Sequence, residues 1–226
     1  MNISIPDTPI ARSTLADSAY ETLLEAIVSG TLRSGAVLTS VGVANQFHIS
    51  RTPAQEALRR LTGDGLLEMP TGKRATVKKF TREDAIEIYE MRMLLEGECA
   101  ARATIRIDQK DLAELRVQVE GLLKSEVNVD WCSRALQCDA WFHEQLAEAS
   151  QSRRLCENID RYRLLVRGFC RMIGTEKHLQ DAAHEHLEIV SALEQRDPER
   201  ARETMQRHIQ LRLNVVLREV FQNTES

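Results

Sequence analysis

The sequence has no apolar run long enough to span a membrane, and residues 1–14 lack the apolar core of a signal peptide. No Cys-x-x-Cys pair occurs, and no histidine lies at zinc-finger spacing. The five cysteines are therefore predicted to be reduced and mostly buried, as small hydrophobic side chains. Internal repeats are also missing, and a hydrophobic fraction of 42% excludes disorder. These absences predict a globular protein of the cytoplasm.

Charge is distributed unevenly along the 226 residues, although the net charge is only -4. Through residue 79 the chain has nine basic and seven acidic side chains, a net charge of +2, and the remainder has a net charge of -6. We call residues 1–79 the head and the remaining residues the body. A basic head joined to an acidic body is typical of a nucleic-acid-binding module joined to a sensor. The patterns predict a flexible arm at 1–14, a DNA-binding domain at 15–79 and an all-α sensor domain at 80–226.

The head has the order helix, helix, helix, hairpin. Apolar periodicity predicts a helix from Asp17 to Ser29, a short helix ending near Phe47, and a longer helix that begins after Ser50. The Ser50 hydroxyl is predicted to cap the free N–H groups of that third helix. Residues 66–69 and 75–78 read as two strands with a tip between them. This order predicts a winged helix-turn-helix.

The body reads as helical throughout, which makes the fold class mainly α. Caps such as Thr81 with Asp84, and Asp197 followed by Pro198, mark helix starts. Short connections favour an antiparallel bundle. Six helices are predicted, at 81–104, 108–124, 131–149, 152–173, 176–195 and 198–222.

The third helix of the head carries the residue types that read base edges. Arg51 and Gln55 lie one turn apart at its start, where arginine suits guanine and glutamine suits adenine. A charge run is more often just a solvated helix face, and that alternative stays open for Arg59. The remaining predicted contacts, mostly to phosphate or the minor groove, come from Ser50, Thr52, Gly72, Lys73 and Arg74.

One carboxylate and three imidazoles are predicted to point into the bundle. Asp139 and His143 are four apart on one helical face, and His186 and His208 lie on the apolar stripes of two other helices. This donor set suits a divalent metal, with zinc first and nickel or manganese as alternatives. The open alternative is a buried polar network in which His143 pairs with Asp139 and no metal binds. The other histidines fall in turns or on polar faces, so no metal role is predicted for His48, His178 or His184.

Three motifs resemble the GntR family of bacterial transcription regulators, in its FadR-type branch with an FCD effector domain. The first motif runs from Leu32-x-x-Gly35 through Ser50-Arg51-Thr52-Pro53-x-x-Glu56-Ala57-Leu58 to Gly65-Leu66. The second is Ile88-Tyr89-Glu90-x-Arg92-x-x-Leu95-Glu96-Gly97. The third comprises Asp139-x-x-x-His143, Glu185-His186-x-x-Ile189 and Met205-x-x-His208-Ile209.

The resemblance implies a homodimer that binds a palindromic double-stranded operator, most simply as a repressor. It also implies a metal at the third motif and a small carboxylate effector that enters the bundle beside it. Arg92 is the implied partner of the effector carboxylate, since a guanidinium can bind it through two hydrogen bonds. The alternative for Arg92 is a salt bridge with Glu96 or Glu98.

The sequence departs from the family pattern at several positions, namely Ser40, Val41, His48, Gln55 and Ser152. Gln55 replaces a usual arginine, which predicts a changed operator preference. His48 replaces a usual glycine in the turn, where a positive φ is expected.

Two rival functions remain open. One is a metal-responsive regulator with no organic effector. The other is a metalloenzyme with a DNA-binding head, but Glu144 and Glu185, the carboxylates adjoining the metal-ligand positions, turn about 100° away from them on their helices. Without a general base beside the metal, the sequence favours a regulator over an enzyme.

Overall fold

The computed structural model describes residues 14–69 and 74–222. The chain divides into two compact units between Lys79 and Phe80. Within the described residues, no helix combines the length and apolar character that a membrane span requires.

The described residues of the first unit form three helices and a small sheet. Thr14 and Asp17 cap the first helix reciprocally, so it begins slightly earlier than predicted. Its apolar stripe packs against the third helix, and Gly30 follows its end with a φ of 77° that favours glycine. The elements are α1 (Leu15–Val28), β1 (Val37–Leu38), α2 (Ser40–Phe47), α3 (Arg51–Gly63), β2 (Leu67–Glu68) and β3 (Ala75–Val77).

The sheet has the antiparallel order β1-β3-β2. The β2–β3 hairpin confirms the predicted wing, with Leu67 opposite Val77. The sequence pattern missed β1, because a strand of two residues has no readable alternation. One prediction was wrong: Ser50 is the N-cap of α3, but its hydroxyl accepts no capping hydrogen bond. His48 ends α2 with a φ of 55°, as its position in the turn predicted.

The second unit is a bundle of helices, which together with the winged head confirms the predicted fold class. Side-chain caps from Thr81, Asp108, Thr175 and Asp197 begin four of its helices. Its helices are α4 (Arg82–Arg106), α5 (Gln109–Lys124), α6 (Trp131–Ala149), α7 (Arg153–Met172), α8 (Glu176–Glu194) and α9 (Pro198–Val216).

The last helix differs from its prediction at the C-terminal end. The α-helix stops at Val216, and a π-helical turn continues from Leu217 to Phe221. This turn lets Phe221 pack edge-on against Phe169, with ring centroids 5.8 Å apart. Apolar periodicity alone could not separate a π-turn from the α-helix before it.

Helix α4 runs through the centre of the bundle and packs mainly against α9. The close approach depends on Gly97, since a Cβ there would lie 3.0 Å from Cγ of Gln206. Because α4 is surrounded, polar side chains on it, among them Arg92 and Glu96, are almost fully buried. These two residues help to position the site described below.

Candidate DNA-reading helix and metal centre

Helix α3 presents a polar stripe beside its buried face. Ala54, Ala57, Leu58 and Leu61 are buried in the unit's core. Arg51, Gln55 and Arg59, spaced four apart, are exposed, as are Ser50 and Thr52 at the start of the helix. The stripe therefore offers two guanidinium groups and one amide on a single accessible face.

Arg60 lies outside this stripe and connects α3 to α1. Its guanidinium lies 2.6 Å from Asp17 and stacks over the Tyr20 ring at 4.3 Å. The Tyr20 hydroxyl in turn donates to Asp64 at the end of α3, at 2.8 Å. These contacts fix the orientation of α3 within its unit.

Part of the predicted wing contact falls outside the described residues. Gly72 and Lys73 lie there, whereas Arg74 is described and exposed, directly before β3.

The second unit brings together the four residues predicted as metal ligands. Asp139 and His143 come from α6, His186 from α8 and His208 from α9, and one donor atom from each lies within 4.8 Å of the others. The three imidazoles are almost fully buried. Asp139 Oδ1 is 3.8 Å from His143 Nε2 and 3.6 Å from His186 Nε2. We call these four residues the cluster.

The donor atoms of the cluster fit a metal ion better than a hydrogen-bonded network. Both Nε2 atoms, of His143 and His186, are buried without a hydrogen-bond partner in the described part of the chain. Their separations from Asp139 Oδ1 are too long for hydrogen bonds. Metal–ligand distances of about 2.0–2.2 Å place neighbouring ligands roughly 3.0–3.5 Å apart, so the donors, which lie within 4.8 Å of one another, would move closer together around an ion. A borderline divalent cation is the group that imidazole and carboxylate donors suit together.

Protonation states also favour metal ligation. Burial lowers the pKa of His143, of His186 and of His208, so each imidazole is neutral at pH 7 and has a lone pair to donate. Burial alone would raise the pKa of Asp139, but Arg163 and the three imidazoles together outweigh burial, so the pKa is lowered and the carboxyl is ionised. Arg163 Nη2 donates to Asp139 Oδ2 at 3.1 Å, which leaves Oδ1 facing the imidazoles.

An arginine, a glutamate and a histidine form what we call the Arg92 chain. Arg92 Nε donates to Glu96 Oε1 at 2.7 Å, and Glu96 Oε2 lies against His143 Nδ1. A proton on Nδ1 leaves His143 Nε2 as the donor atom that faces Asp139. The salt bridge expected as an alternative for Arg92 is thus present, with Glu96; Glu98 pairs instead with Arg102 and Arg202.

A matching Arg212 chain holds another member of the cluster, His208. Arg212 Nη2 donates to Glu185 Oε1 at 2.8 Å, and His208 Nδ1 lies 2.7 Å from Glu185 Oε2. The helical geometry that turns Glu185 away from His186 on α8 brings it to His208 on α9. Sequence reasoning missed this contact, and also missed Arg163, for which the only signal was an arginine between the buried Ile159 and Val166.

A pocket opens beside the cluster. Its lining includes Asp139 and His208 of the cluster, together with apolar side chains and with Arg92, Cys170, His178 and Arg212. Its empty volume is about 450 Å³ including the part open to solvent, but only about 30 Å³ accepts the centre of a water molecule. The pocket is therefore narrow and suits a small ligand.

None of the remaining histidines and cysteines belongs to the cluster, although Cys170 and His178 line the pocket beside it. His178 Nδ1 is 3.0 Å from the Ile173 carbonyl oxygen, and the exposed His184 lies on α8. All five cysteines are free thiols, as predicted, but only Cys99 is fully buried.

The winged head and the ligand-binding bundle define a class of protein, the transcription regulators. Residues 15–77 match the family model for bacterial regulatory proteins of the gntR family, and residues 87–211 match the FCD domain, a ligand-binding domain. The chain belongs to the GntR family, in the branch that carries an FCD domain. Neither family is one of enzymes, which agrees with the sequence prediction.

Similar proteins support this assignment along most of the chain. The HTH-type transcriptional regulator YdhC of Bacillus subtilis is 28% identical over 84% of this chain and 85% of its own length. A probable D-xylose utilization operon transcriptional repressor of Paenarthrobacter nicotinovorans is 29% identical, covering 88% of each chain. The structure of McbR from Escherichia coli shares the fold, with a TM-score of 0.75 at 23% identity over 92% of this chain and 99% of its own.

Proposed function

We propose that the protein is a homodimeric repressor whose operator affinity is controlled by a small carboxylate bound beside a divalent metal. The metal, zinc first and nickel or manganese as alternatives, binds Asp139, His143, His186 and His208. The observation that carries the proposal is the pair of unpartnered imidazole nitrogens in the cluster, next to an open pocket. Repression is supported by the name of the Paenarthrobacter relative.

The exposed stripe of α3 reads the operator. Arg51 contacts guanine and Gln55 contacts adenine in the major groove, while Arg59 contacts phosphate. Two copies of the winged head suit a palindrome, because a symmetric dimer presents the same helix to each half-site. The remaining contacts, to phosphates and the minor groove, are assigned to Ser50, Thr52, Gly72, Lys73 and Arg74.

The effector carboxylate binds at the metal and at Arg92. Only one of the five N–H donors of Arg92 is used by Glu96, so a second carboxylate can be accepted without breaking the salt bridge. The metal supplies a Lewis-acidic position for a carboxylate oxygen, and the chain's own residues orient the acid and exclude water.

The signal has a physical route within the second unit. Cys170 and Ile173, near the end of α7, line the pocket, and the neighbouring Phe169 packs edge-on against Phe80 at 5.8 Å. Phe80 is the first residue after the DNA-binding unit. A ligand that shifts the end of α7 therefore moves the connection to the heads, provided that it binds the two states with different affinity.

The test is a thermal-shift screen followed by DNA binding. The purified protein is heated with sugar acids, hydroxy acids, dicarboxylates and fatty acyl thioesters, before and after chelation and zinc reloading. Acids that stabilise only the zinc-loaded protein are then titrated against a duplex that the protein has selected from a random pool. We expect one acid class to change duplex affinity at least fivefold.

Two outcomes would contradict the proposal. Duplex binding that follows zinc alone, with no effect of any acid, would favour a metal-responsive regulator. If neither chelation nor any acid changes the melting temperature, the cluster is a buried polar network that binds no metal.

A further inference from the structure

An arginine on α7 contacts both the side chain and the main chain of Asp139. Arg163 Nη2 donates to Asp139 Oδ2 at 3.1 Å and lies 3.4 Å from the Asp139 carbonyl oxygen, to which it also donates. Rotation of the carboxylate would break the first of these bonds, and a charge-assisted hydrogen bond is among the stronger ones. Arg163 therefore fixes the orientation of one member of the cluster from a neighbouring helix.

The position of Arg163 is itself well defined. Ile159 and Val166 lie four residues before it and three after it on α7, and both are buried, so the Arg163 side chain points into the bundle. Its Nη1 lies 3.8 Å from Glu96 Oε2, the carboxylate oxygen that contacts His143. The guanidinium thus lies between two carboxylates, and its side chain is only 16% exposed.

The two carboxylate oxygens of Asp139 have different surroundings. Oδ1 is 3.8 Å from His143 Nε2 and 3.6 Å from His186 Nε2, close to the separation of roughly 3.0–3.5 Å expected between two ligands of one ion. Oδ2 accepts the hydrogen bond from Arg163. An ion among the imidazoles would therefore meet Oδ1, whereas moving Oδ2 toward the same ion would lengthen the bond to Arg163.

We infer that Arg163 is a positioning residue that limits Asp139 to one metal–oxygen bond. This role rests on the proposed function, since it concerns how the chain holds the proposed metal. One oxygen from Asp139 and one nitrogen from each imidazole supply four donor atoms, the number that zinc commonly takes from a protein. A second oxygen from Asp139 would suit manganese, which prefers more oxygen ligands. Arg163 thereby favours zinc over manganese at this site.

The affinities of the full-length protein for zinc and for manganese test this role in the variant Arg163→Met. Methionine keeps an unbranched side chain but removes the hydrogen-bond donors, and competition with a chromophoric chelator gives the affinity for each metal. We expect the ratio of zinc affinity to manganese affinity to fall about tenfold or more, the size of effect that follows the loss of a ligand's partner. A purely structural role of Arg163 would weaken both metals by the same factor and would overturn the inference.

Arg167→Met is the matched control, because Arg167 is an exposed arginine one turn further along α7. It should keep the wild-type ratio of zinc affinity to manganese affinity. A fall in this ratio as large as that in Arg163→Met would show that the general charge of α7 sets the preference, and would overturn the role of Arg163.

Crystal structures of the zinc-loaded wild type and of zinc-loaded Arg163→Met show the bond itself. We expect one Asp139 oxygen at about 2.0–2.2 Å from zinc in the wild type, and a second Asp139 oxygen among the zinc ligands in the variant. Zinc bound by both Asp139 oxygens in the wild type would overturn the inference, even if the variant does not fold.

The outcomes separate the two proposals. If the wild type binds zinc through the cluster but Arg163→Met keeps the wild-type ratio of affinities, only the role of Arg163 fails. If the wild type binds no zinc, the role of Arg163 and the metal-dependent regulator both fail.

Discussion

Glu185 is the residue whose change most sharply tests the metal centre. Its carboxylate is 15% exposed and spans two partners, with His208 Nδ1 at 2.7 Å and Arg212 Nη2 at 2.8 Å. The substitution Glu185→Gln keeps the shape of the side chain but removes its charge. Since Glu185 is not itself one of the predicted ligands, a loss of metal affinity beyond that of a charge-matched control is attributed to its contacts with His208 and Arg212.

The size of the effect follows from the bond that is weakened. A hydrogen bond to a charged group contributes about 1.5–3 kcal/mol, more than a neutral one. The carboxylate also fixes the His208 tautomer and makes the opposite nitrogen a stronger donor, and loss of such a partner costs about 10- to 100-fold in metal affinity. We expect Glu185→Gln to weaken zinc binding about 10- to 100-fold. It should not abolish binding, since the substituted amide oxygen can still accept a weaker hydrogen bond.

Competition with a chromophoric zinc chelator measures the affinity directly. Glu188→Gln is the matched control, because Glu188 lies on the same helix, less than one turn away, and pairs on the surface with Arg207. It should bind zinc as the wild type does. If Glu185→Gln and Glu188→Gln have the same zinc affinity, His208 is not a ligand oriented by Glu185 and the reasoning fails.

Four further results are expected. Burial lowers the pKa of the cluster imidazoles, so below pH 6.5 the unfolded chain binds more protons than the folded protein. The free energy of unfolding of the metal-free protein should therefore decrease as the pH falls, by up to about 1.4 kcal/mol per pH unit for each imidazole. Urea titrations between pH 6.5 and 5.5 measure this decrease. Arg51→Ala should weaken operator binding by about 1–3 kcal/mol in fluorescence anisotropy, whereas Arg33→Ala, an exposed arginine outside α3, should change it little. Arg92→Met should lower the free energy of unfolding by about 3 kcal/mol, since it leaves the charge of Glu96 buried without its main partner; a small loss would contradict the importance of the pair. His48→Gly should raise the melting temperature, because φ at this position is 55°, and a lower value would show that the histidine side chain stabilises the turn.

The cluster could be predicted from sequence because its members obey the period of the helix. Asp139 and His143 share a face at a spacing of four, and His186 and His208 each interrupt an apolar stripe, so burial followed from position alone. Bundle packing then brought three faces together. Apart from the C-terminal end of α9, the helix bounds of the bundle were predicted within two residues for the same reason, since the caps and stripes are local signals.

Contacts between helices could not be predicted in this way. The orientation of Glu185 toward His208, and of Arg163 toward Asp139, depends on which helices are neighbours and at what height they pack. The missing cap at Ser50 has a similar cause, because a capping residue type does not fix the rotamer of its hydroxyl. Periodicity locates a face, but only packing decides which partner it meets.

The Arg92 chain and the Arg212 chain have the same arrangement, which suggests how the proposed metal and acid would influence each other's binding. Each begins at an arginine that lines the pocket and ends at an imidazole of the cluster, with one carboxylate between them. An acid that accepts hydrogen bonds from the arginines weakens their interaction with these carboxylates. The carboxylates then become stronger acceptors for the ring N–H groups. The imidazoles become better donors as a result. Under the proposed function, we therefore expect acid binding to strengthen metal binding, and the metal to strengthen acid binding by the same factor, because coupling between two sites is reciprocal.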